Sequence, residues 1–399
     1  MSAASAGGKA MSRARGTATS PFPVLRIALV AGVRYPIAEP FAGGMEAHTW
    51  TLASLLTRRG HEVTVFAGRG SDPALGRVEV LDDVGFSPSA QARQDVSMPP
   101  EEFLREHHAY QRLMLHLAGE QSFDVVQLNC LHYLPVAMAD LLPQPPVLSL
   151  HTPPTPWLES ALYGGRRIRP VAVSSWTARA WAPALGAIPV IGNGVDLDRW
   201  APGPGGQQAV WTGRLVPEKG AHLAIDAAAL AGIPLVLAGP ASDRQYFDDQ
   251  IAPRLGRGAS WAGHLGHRDL VSLVGDSAVS VVTPCWDEPF GLVVAESLAV
   301  GTPVAAFARG AVPDILDDAT GSLAQPGDVA ALADSILAAA SLDRGVVRAR
   351  AEQTCDVQRM VDGYLDLYRD VIGRSAPVRL PAPRHMLDEQ ATIPAQEVG

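Results

Sequence analysis

Short apolar runs alternate with longer stretches of helical periodicity along most of the chain. Residues 25–31, 62–67, 124–128, 147–150 and 171–173 read as strands, and a second series follows at 209–212, 235–238, 279–283 and 303–306. Most of these runs are nearly continuous in Val, Ile, Leu and Ala. Strands that are apolar on both faces belong in parallel sheets covered by helices on each side, so the alternation predicts an α/β protein. Two such series predict two Rossmann-like domains. Between them, around 183–204, lie Asn193-Gly194 and the run Pro202-Gly203-Pro204-Gly205-Gly206, both loop punctuation. The expected layout is therefore one domain over 21–184 and a second over 185–356. A final helix, near 357–372, gathers Met360, Val361, Tyr364, Leu365, Leu367 and Tyr368 on one broad side. No internal repeat is visible.

Bulk properties narrow the picture. At 399 residues the chain exceeds what one core usually holds, which agrees with two domains. The net charge of -9 argues against nucleic acid as a partner but leaves room for a local basic pocket around one diphosphate. Three cysteines, Cys130, Cys285 and Cys355, are odd in number and form no Cys-x-x-Cys pair, which fits a reduced, cytoplasmic compartment. No apolar run approaches the length of a membrane span. Residues 1–20 are rich in Ala, Ser and Gly, lack the apolar stretch of a signal peptide, and read as a disordered leader; 374–399 read as a disordered tail.

The most informative stretch is Glu288-Pro289-Phe290-Gly291-Leu292-Val293-Val294-Ala295-Glu296. A strand pattern leads in and a helix pattern leads out, with Pro289 and Gly291 breaking the chain between them. A loop thus carries Glu288 to a helix N-terminus, where unpaired amides and the helix dipole favour negative charge. Glu296 sits inside the helix, about two turns on from Glu288. A carboxylate beside a row of amide donors suits a ligand bearing both hydroxyls and phosphate.

Two glutamates eight residues apart, the first followed by Pro-Phe-Gly, resemble the signature of the family 4 retaining glycosyltransferases. The resemblance extends over roughly residues 24–373. It implies the GT-B fold: two Rossmann-like domains with parallel sheets facing a central cleft and a C-terminal helix, 357–373, crossing back to the N-terminal domain. It also implies a metal-independent enzyme that moves a hexosyl-type sugar, with retention, from a nucleoside-diphosphate sugar to an acceptor hydroxyl. No cofactor is expected; the donor, UDP- or GDP-linked, is a substrate. A GT-B epimerase or phosphorylase, or a non-catalytic nucleotide-sugar-binding subunit, are the alternatives. A lipid-linked, sugar or small-molecule acceptor is compatible with the chain, and peripheral contact with a membrane stays open.

The remaining motifs fall into place around that resemblance. Gly213-Arg214-Leu215-Val216-Pro217-Glu218-Lys219-Gly220 resembles the family's Gly-Arg-Leu-x-x-x-Lys-Gly element. Its two cations straddle a strand-to-helix turn, where Arg grips phosphate oxygens in pairs and Lys acts as a point charge; taken alone, they also read as a solvated pair around Glu218. The segment Phe41-Ala42-Gly43-Gly44-Met45-Glu46 opens a helix after the first strand. By itself it is a tight turn or a place where backbone approaches a ligand; the resemblance puts Gly43 and Gly44 against donor phosphates and acceptor. His151 ends a strand and so faces the crevice of an α/β sheet, or is simply a loop histidine. The resemblance implies that it meets the donor sugar, although the family often has His-Asp where this chain has His151-Thr152. The resemblance further places the nucleotide base against Gly263 and Leu265.

On that basis the expected catalytic set is Glu288, His151, Lys219 and Arg214. Donor contacts are expected from Gly43, Gly44, Gly263, Leu265, Phe290, Gly291, Leu292 and Glu296 as well as Arg214, Lys219 and Glu288. Asn193 to Asp196 reads mainly as a structural turn. Arg166, Arg167 and Arg169 read as a solvated basic run with the alternative of touching an acidic acceptor or lipid headgroups. No His/Cys spacing suggests a metal.

Overall fold

The structure, a computed structural model, describes residues 23–374 apart from 82–86, 145, 164–166 and 257. The expected leader, the tail beyond residue 374 and Arg166 lie outside the described residues.

Two six-stranded sheets, parallel throughout, form the frame. The first runs in the order β3-β2-β1-β4-β5-β6, from β1 (Arg26–Val30), β2 (Glu62–Ala67), β3 (Arg77–Val80), β4 (Val125–Leu128), β5 (Val147–Leu150) and β6 (Arg169–Ala172). The second runs β12-β11-β10-β7-β8-β9, from β7 (Ala209–Thr212), β8 (Leu235–Ala238), β9 (Ala259–Trp261), β10 (Val279–Val282), β11 (Val304–Phe307) and β12 (Gly321–Ala324). In each sheet the first strand of its series sits centrally: Ile27 lies opposite both Val63 and Val125, and Val210 opposite both Val236 and Ser280. The order therefore reverses at β1/β4 and at β7/β10, and crevices open beyond the carboxyl ends of these pairs.

Burial on both faces explains the apolar runs. Ile27 and Leu29 pack into one core of the first sheet, while Ala28 and Val30 pack into the other. Ala209 and Trp211 likewise face one layer of the second sheet and Val210 the opposite one. Three strands escaped the pattern: β3, β9 and β12. All three are sheet edges, where a missing neighbour leaves residues open to solvent, and their sequences (Arg77-Val78-Glu79-Val80, Ala259-Ser260-Trp261, Gly321-Ser322-Leu323-Ala324) carry polar or small residues accordingly.

The last helix, Val357–Arg374, leaves the second sheet and returns to the first. Its Met360, Val361, Tyr364, Leu365, Leu367 and Tyr368 are buried in one cluster with Ile27, Leu29, Val63 and Val65. Two of its tyrosines also satisfy polar groups inside the first sheet. Tyr364 Oη lies 2.8 Å from Ser149 Oγ, and Tyr368 Oη donates to Gln127 Oε1 at 3.0 Å. Gln127 in turn donates to Ser149 Oγ at 2.9 Å. Tyr368→Phe leaves the Gln127 carbonyl buried without this donor, a loss of about 1–3 kcal/mol. The expected result is a melting temperature lower by a few degrees with an unchanged far-ultraviolet spectrum; an unaltered melting temperature would show that the hydroxyl is dispensable.

Among the described residues no helix is long and apolar enough to cross a membrane. The three cysteines are unpaired, with Cys130 and Cys355 buried.

Candidate active site

A cleft of ≈ 780 Å³ is lined by segments that follow strands of both sheets. From the first come Gly43, Gly44 and His151; from the second come Arg214, Lys219, Leu265, Glu288, Phe290, Gly291, Leu292 and Glu296. All the expected site residues except Gly263 share this lining. Gly263 stands just behind it, its carbonyl accepting the Gly239 amide at 2.8 Å, while Gly239 itself faces the cleft. Arg167 and Arg169 are placed elsewhere. The Arg167 guanidinium reaches the carbonyls of Leu142 and Pro143, and Arg169 lies 3.6 Å from Asp370.

Chain order explains the convergence. Arg214 and Lys219 follow β7, and Glu288 follows β10, the two central strands at the switch point of the second sheet. Lys219 Nζ bonds Glu288 Oε2 at 2.6 Å, and Trp286 Nε1 donates to the same oxygen at 3.0 Å. Both partners land on Oε2. The Lys219 ammonium also lies 5.2 Å from the Trp286 ring centre. Neither member of the pair is splayed into bulk water: the lysine side chain is 24% exposed and the glutamate 15%. Arg214 is looser, 3.7 Å from Glu218.

Beyond Glu288 the chain enters the helix Leu292–Ala299, whose first amides have no side-chain cap. The helix Gly44–Arg58 also begins uncapped, and the two N-termini approach closely. A Cβ added at Gly44 would lie 3.7 Å from the Leu292 side chain. Two positive helix ends thus border one space. Glu296 lies one turn inside the second helix, part-exposed on the cleft floor yet enclosed by protein. That burial pushes its carboxyl up to about 8.

Contacts across the cleft hold its walls in register. Ser174 Oγ and Thr177 Oγ1 both donate to the Pro289 carbonyl, at 2.5 and 2.9 Å, and His264 Nε2 is 3.1 Å from the Phe41 carbonyl. His151 sits edge-on to His48, with ring centres 4.8 Å apart. Burial pushes His151 down to about 4, so its imidazole is neutral near pH 7, and its Nε2 has no protein partner. The side-chain oxygen of Thr152 is also buried without a partner, and both residues face the cleft. Such unpaired groups fit a site that hydrogen-bonds a polyhydroxylated ligand.

Three further cleft residues were not singled out as site residues from the sequence. Glu46 is buried in the first turn of its helix; burial raises its carboxyl, against the pull of Arg214. Its place in Gly43-Gly44-Met45-Glu46 was the available signal. Trp286, two residues before Glu288, and Asn193, classed as a turn residue, had no comparable mark.

Comparisons with known proteins identify the family. The model of Glycosyltransferase Family 4 matches residues 42–199, and that of Glycosyl transferases group 1 matches 199–353. The chain belongs to glycosyltransferase family 4. The first match carries Gly43, Gly44 and His151; the second carries Arg214, Lys219 and both signature glutamates. Among curated relatives, glycogen synthase of Mycobacterium tuberculosis is 28% identical over 92% of this chain and 99% of that one. D-inositol 3-phosphate glycosyltransferase of Mycobacterium bovis is 29% identical over 87% and 84%. Among solved structures, HepE of Anabaena, in complex with UDP and glucose, superposes with a TM-score of 0.69 at 19% identity, over 87% of this chain and all (100%) of that one. Sucrose-phosphate synthase of Thermosynechococcus elongatus gives 0.72 at 20%, over 88% and 100%. The chain is a family 4 glycosyltransferase with the GT-B fold.

Proposed function

We propose that this family 4 enzyme transfers a glycosyl group, with retention, from a nucleoside-diphosphate sugar to an acceptor hydroxyl without a resident metal. The observation that carries this reading is the Lys219–Glu288 contact at 2.6 Å, which sets a cation for the leaving diphosphate against a carboxylate for the sugar. Lys219 has two further N–H donors for phosphate oxygens. The bonds from Lys219 and Trp286 both fall on Glu288 Oε2, which leaves Oε1 for a sugar hydroxyl. Arg214 and the amides at the start of the helix Leu292–Ala299 complete the diphosphate site.

In the reaction the bond from the anomeric carbon to the diphosphate oxygen breaks. The acceptor oxygen bonds that carbon on the same face, and its proton passes to the departing diphosphate. The protein contributes position and charge stabilisation. Neutral His151 serves as a hydrogen-bond partner to the donor sugar. Uridine is the favoured base, because related folds such as HepE hold UDP and UDP-glucose. Among the described residues no group of three or more His, Cys, Asp or Glu side chains is placed to hold a metal, and the cations and helix amides supply the charge in its place.

The test is turnover of UDP- and GDP-sugars with a broad acceptor panel, with the product anomer read by NMR, with and without EDTA. A retained anomer and activity indifferent to EDTA are expected. An inverted product, loss of activity on chelation, or donor epimerised without acceptor would each overturn the corresponding part.

Glu296 gives a sharper expectation. Its carboxyl, at about 8, is mostly protonated at pH 7. Two ribose hydroxyls donating to it favour the ionised form, so nucleotide binding lowers this pKa and releases a proton. A group with a raised folded-state pKa stabilises the free protein below its unfolded pKa, about 4.3, and that contribution fades as pH climbs through 8; bound UDP offsets the loss. Calorimetry of UDP binding at pH 7 in two buffers of different ionisation enthalpy should show the release, and Glu296→Gln should abolish it. Glu296→Ala should raise donor KM roughly ten- to a hundredfold, from about 1.5–3 kcal/mol of lost charged hydrogen bonding. Equal buffer dependence in wild type and variant would remove the ribose contact.

A further inference from the structure

One end of the cleft is built of aromatic rings that the donor reading does not use. Phe103 comes from the helix Glu101–Gly119, Tyr133 opens the helix Tyr133–Ala137, and Trp157 lies in the first turn of the helix Pro156–Leu162. Tyr133 stacks on Trp157 with centres 5.1 Å apart at 29°, and His132 also stacks on Tyr133, at 5.1 Å and 21°. Phe103 closes the group, 6.0 Å from Trp157 and 5.5 Å from His132. All four rings line the cleft. Trp157 is 59% exposed there and neighbouring Leu131 45%, so large apolar surfaces face the same solvent-filled space.

Polar groups rim this apolar patch. Glu106 faces the same end of the cleft, and His132 Nε2 is buried without a partner. The cation on this side, Arg34, is already engaged by Glu106 at 2.8 Å and Glu102 at 3.5 Å. Burial pushes His132 down to about 4, so it brings no positive charge near pH 7. The patch therefore offers flat aromatic faces, carboxylate and imidazole hydrogen-bonding groups, and no uncommitted cation among the described residues that line it.

Resting on the glycosyltransferase reading above, we infer that Trp157, Tyr133 and Phe103 form the acceptor subsite and that the acceptor is a neutral carbohydrate. A pyranose ring has a C–H face that packs on an aromatic ring and a hydroxyl edge that pairs with carboxylate and imidazole, which matches both halves of the patch. Among the described residues a phosphorylated acceptor finds no uncommitted cation here and meets Glu106 instead. Such a subsite separates this chain from an enzyme whose acceptor is an inositol phosphate.

The test titrates the UDP-saturated protein by calorimetry with neutral glucose, galactose and mannose oligosaccharides, and with D-inositol 3-phosphate and glucose 6-phosphate. At least one neutral oligosaccharide should bind. Trp157→Ala should weaken it about tenfold, Trp157→Phe should recover most of the loss, and UDP affinity should stay the same in all three proteins. Because Trp157 is exposed, its removal spares the core. Binding of the phosphorylated compounds alone, neutral-sugar binding indifferent to Trp157→Ala, or no binding of any neutral sugar to a protein that does bind UDP would each overturn the inference. Failure to bind any nucleoside diphosphate would instead bring down the proposed function itself.

Discussion

Lys219→Ala lowers kcat by roughly 10²–10³-fold while the protein remains folded. The magnitude follows from removing one preorganised charge contact to the leaving group, about 2.7–4 kcal/mol of transition-state stabilisation. Charge on the diphosphate grows as the glycosidic bond breaks, so the loss falls on kcat more than on donor KM. The substitution has a second effect. Glu288 is only 15% exposed, and without the ammonium its Oε2 retains just the Trp286 indole at 3.0 Å. Its carboxylate then reorients, and the contact proposed for the sugar hydroxyl is lost as well. Lys219→Arg keeps the charge but replaces a compact ammonium with a planar fork, which cannot lie over Trp286 and bond Oε2 in the same way, so rescue is partial. Steady-state kinetics alongside thermal melts decide the matter. Wild-type turnover in Lys219→Ala would remove the lysine from the reaction; a collapsed melt would shift its role to folding.

The sequence made the central architecture legible for a simple physical reason. β1, β4, β7 and β10 are covered on both faces, so most of their residues have little freedom to be polar, and nine of the twelve strands among the described residues announced themselves as apolar runs. The edges β3, β9 and β12 were silent because solvent tolerates Arg77, Glu79, Ser260 and Ser322. The site was legible where chemistry demands particular residue types beside chain-breaking ones, as at Arg214, Lys219, Glu288 and Glu296. It was not legible where function arises from three-dimensional convergence. Phe103, Tyr133 and Trp157 stand on three helices, and each alone resembles an ordinary core or surface aromatic. Gln127 and Ser149 interrupt apolar strands, and only the return of Tyr364 and Tyr368 from the last helix explains them.

Gly310→Ala is expected to lower kcat about a hundredfold although residue 310 carries no functional group. Gly310 follows β11 with φ +61, and a Cβ there would lie 2.3 Å from both the amide nitrogen and the carbonyl oxygen of Glu288. These are backbone atoms, anchored in turn by the Ala311 amide donating to the Glu288 carbonyl at 2.7 Å, so no side-chain rotation relieves the clash. Either the Glu288 loop moves or the loop after β11 does. A displacement near 1 Å at a positioning carboxylate costs on the order of 10²-fold. Since Glu288 is bonded to Lys219, the shift carries to the diphosphate contact too. UDP affinity should change less than kcat, because Glu296 lies further along the helix Leu292–Ala299 and does not touch Gly310. Backbone strain at positive φ contributes about 1–3 kcal/mol of instability by itself, and must be separated from displacement. Gly60→Ala supplies that control: φ is +89 there and a Cβ meets nothing within 4 Å. Equal losses of stability in the two variants, with activity lost only in Gly310→Ala, would assign Gly310 the task of holding Glu288 against the leaving diphosphate; full activity in Gly310→Ala would show that the loop yields without moving the carboxylate.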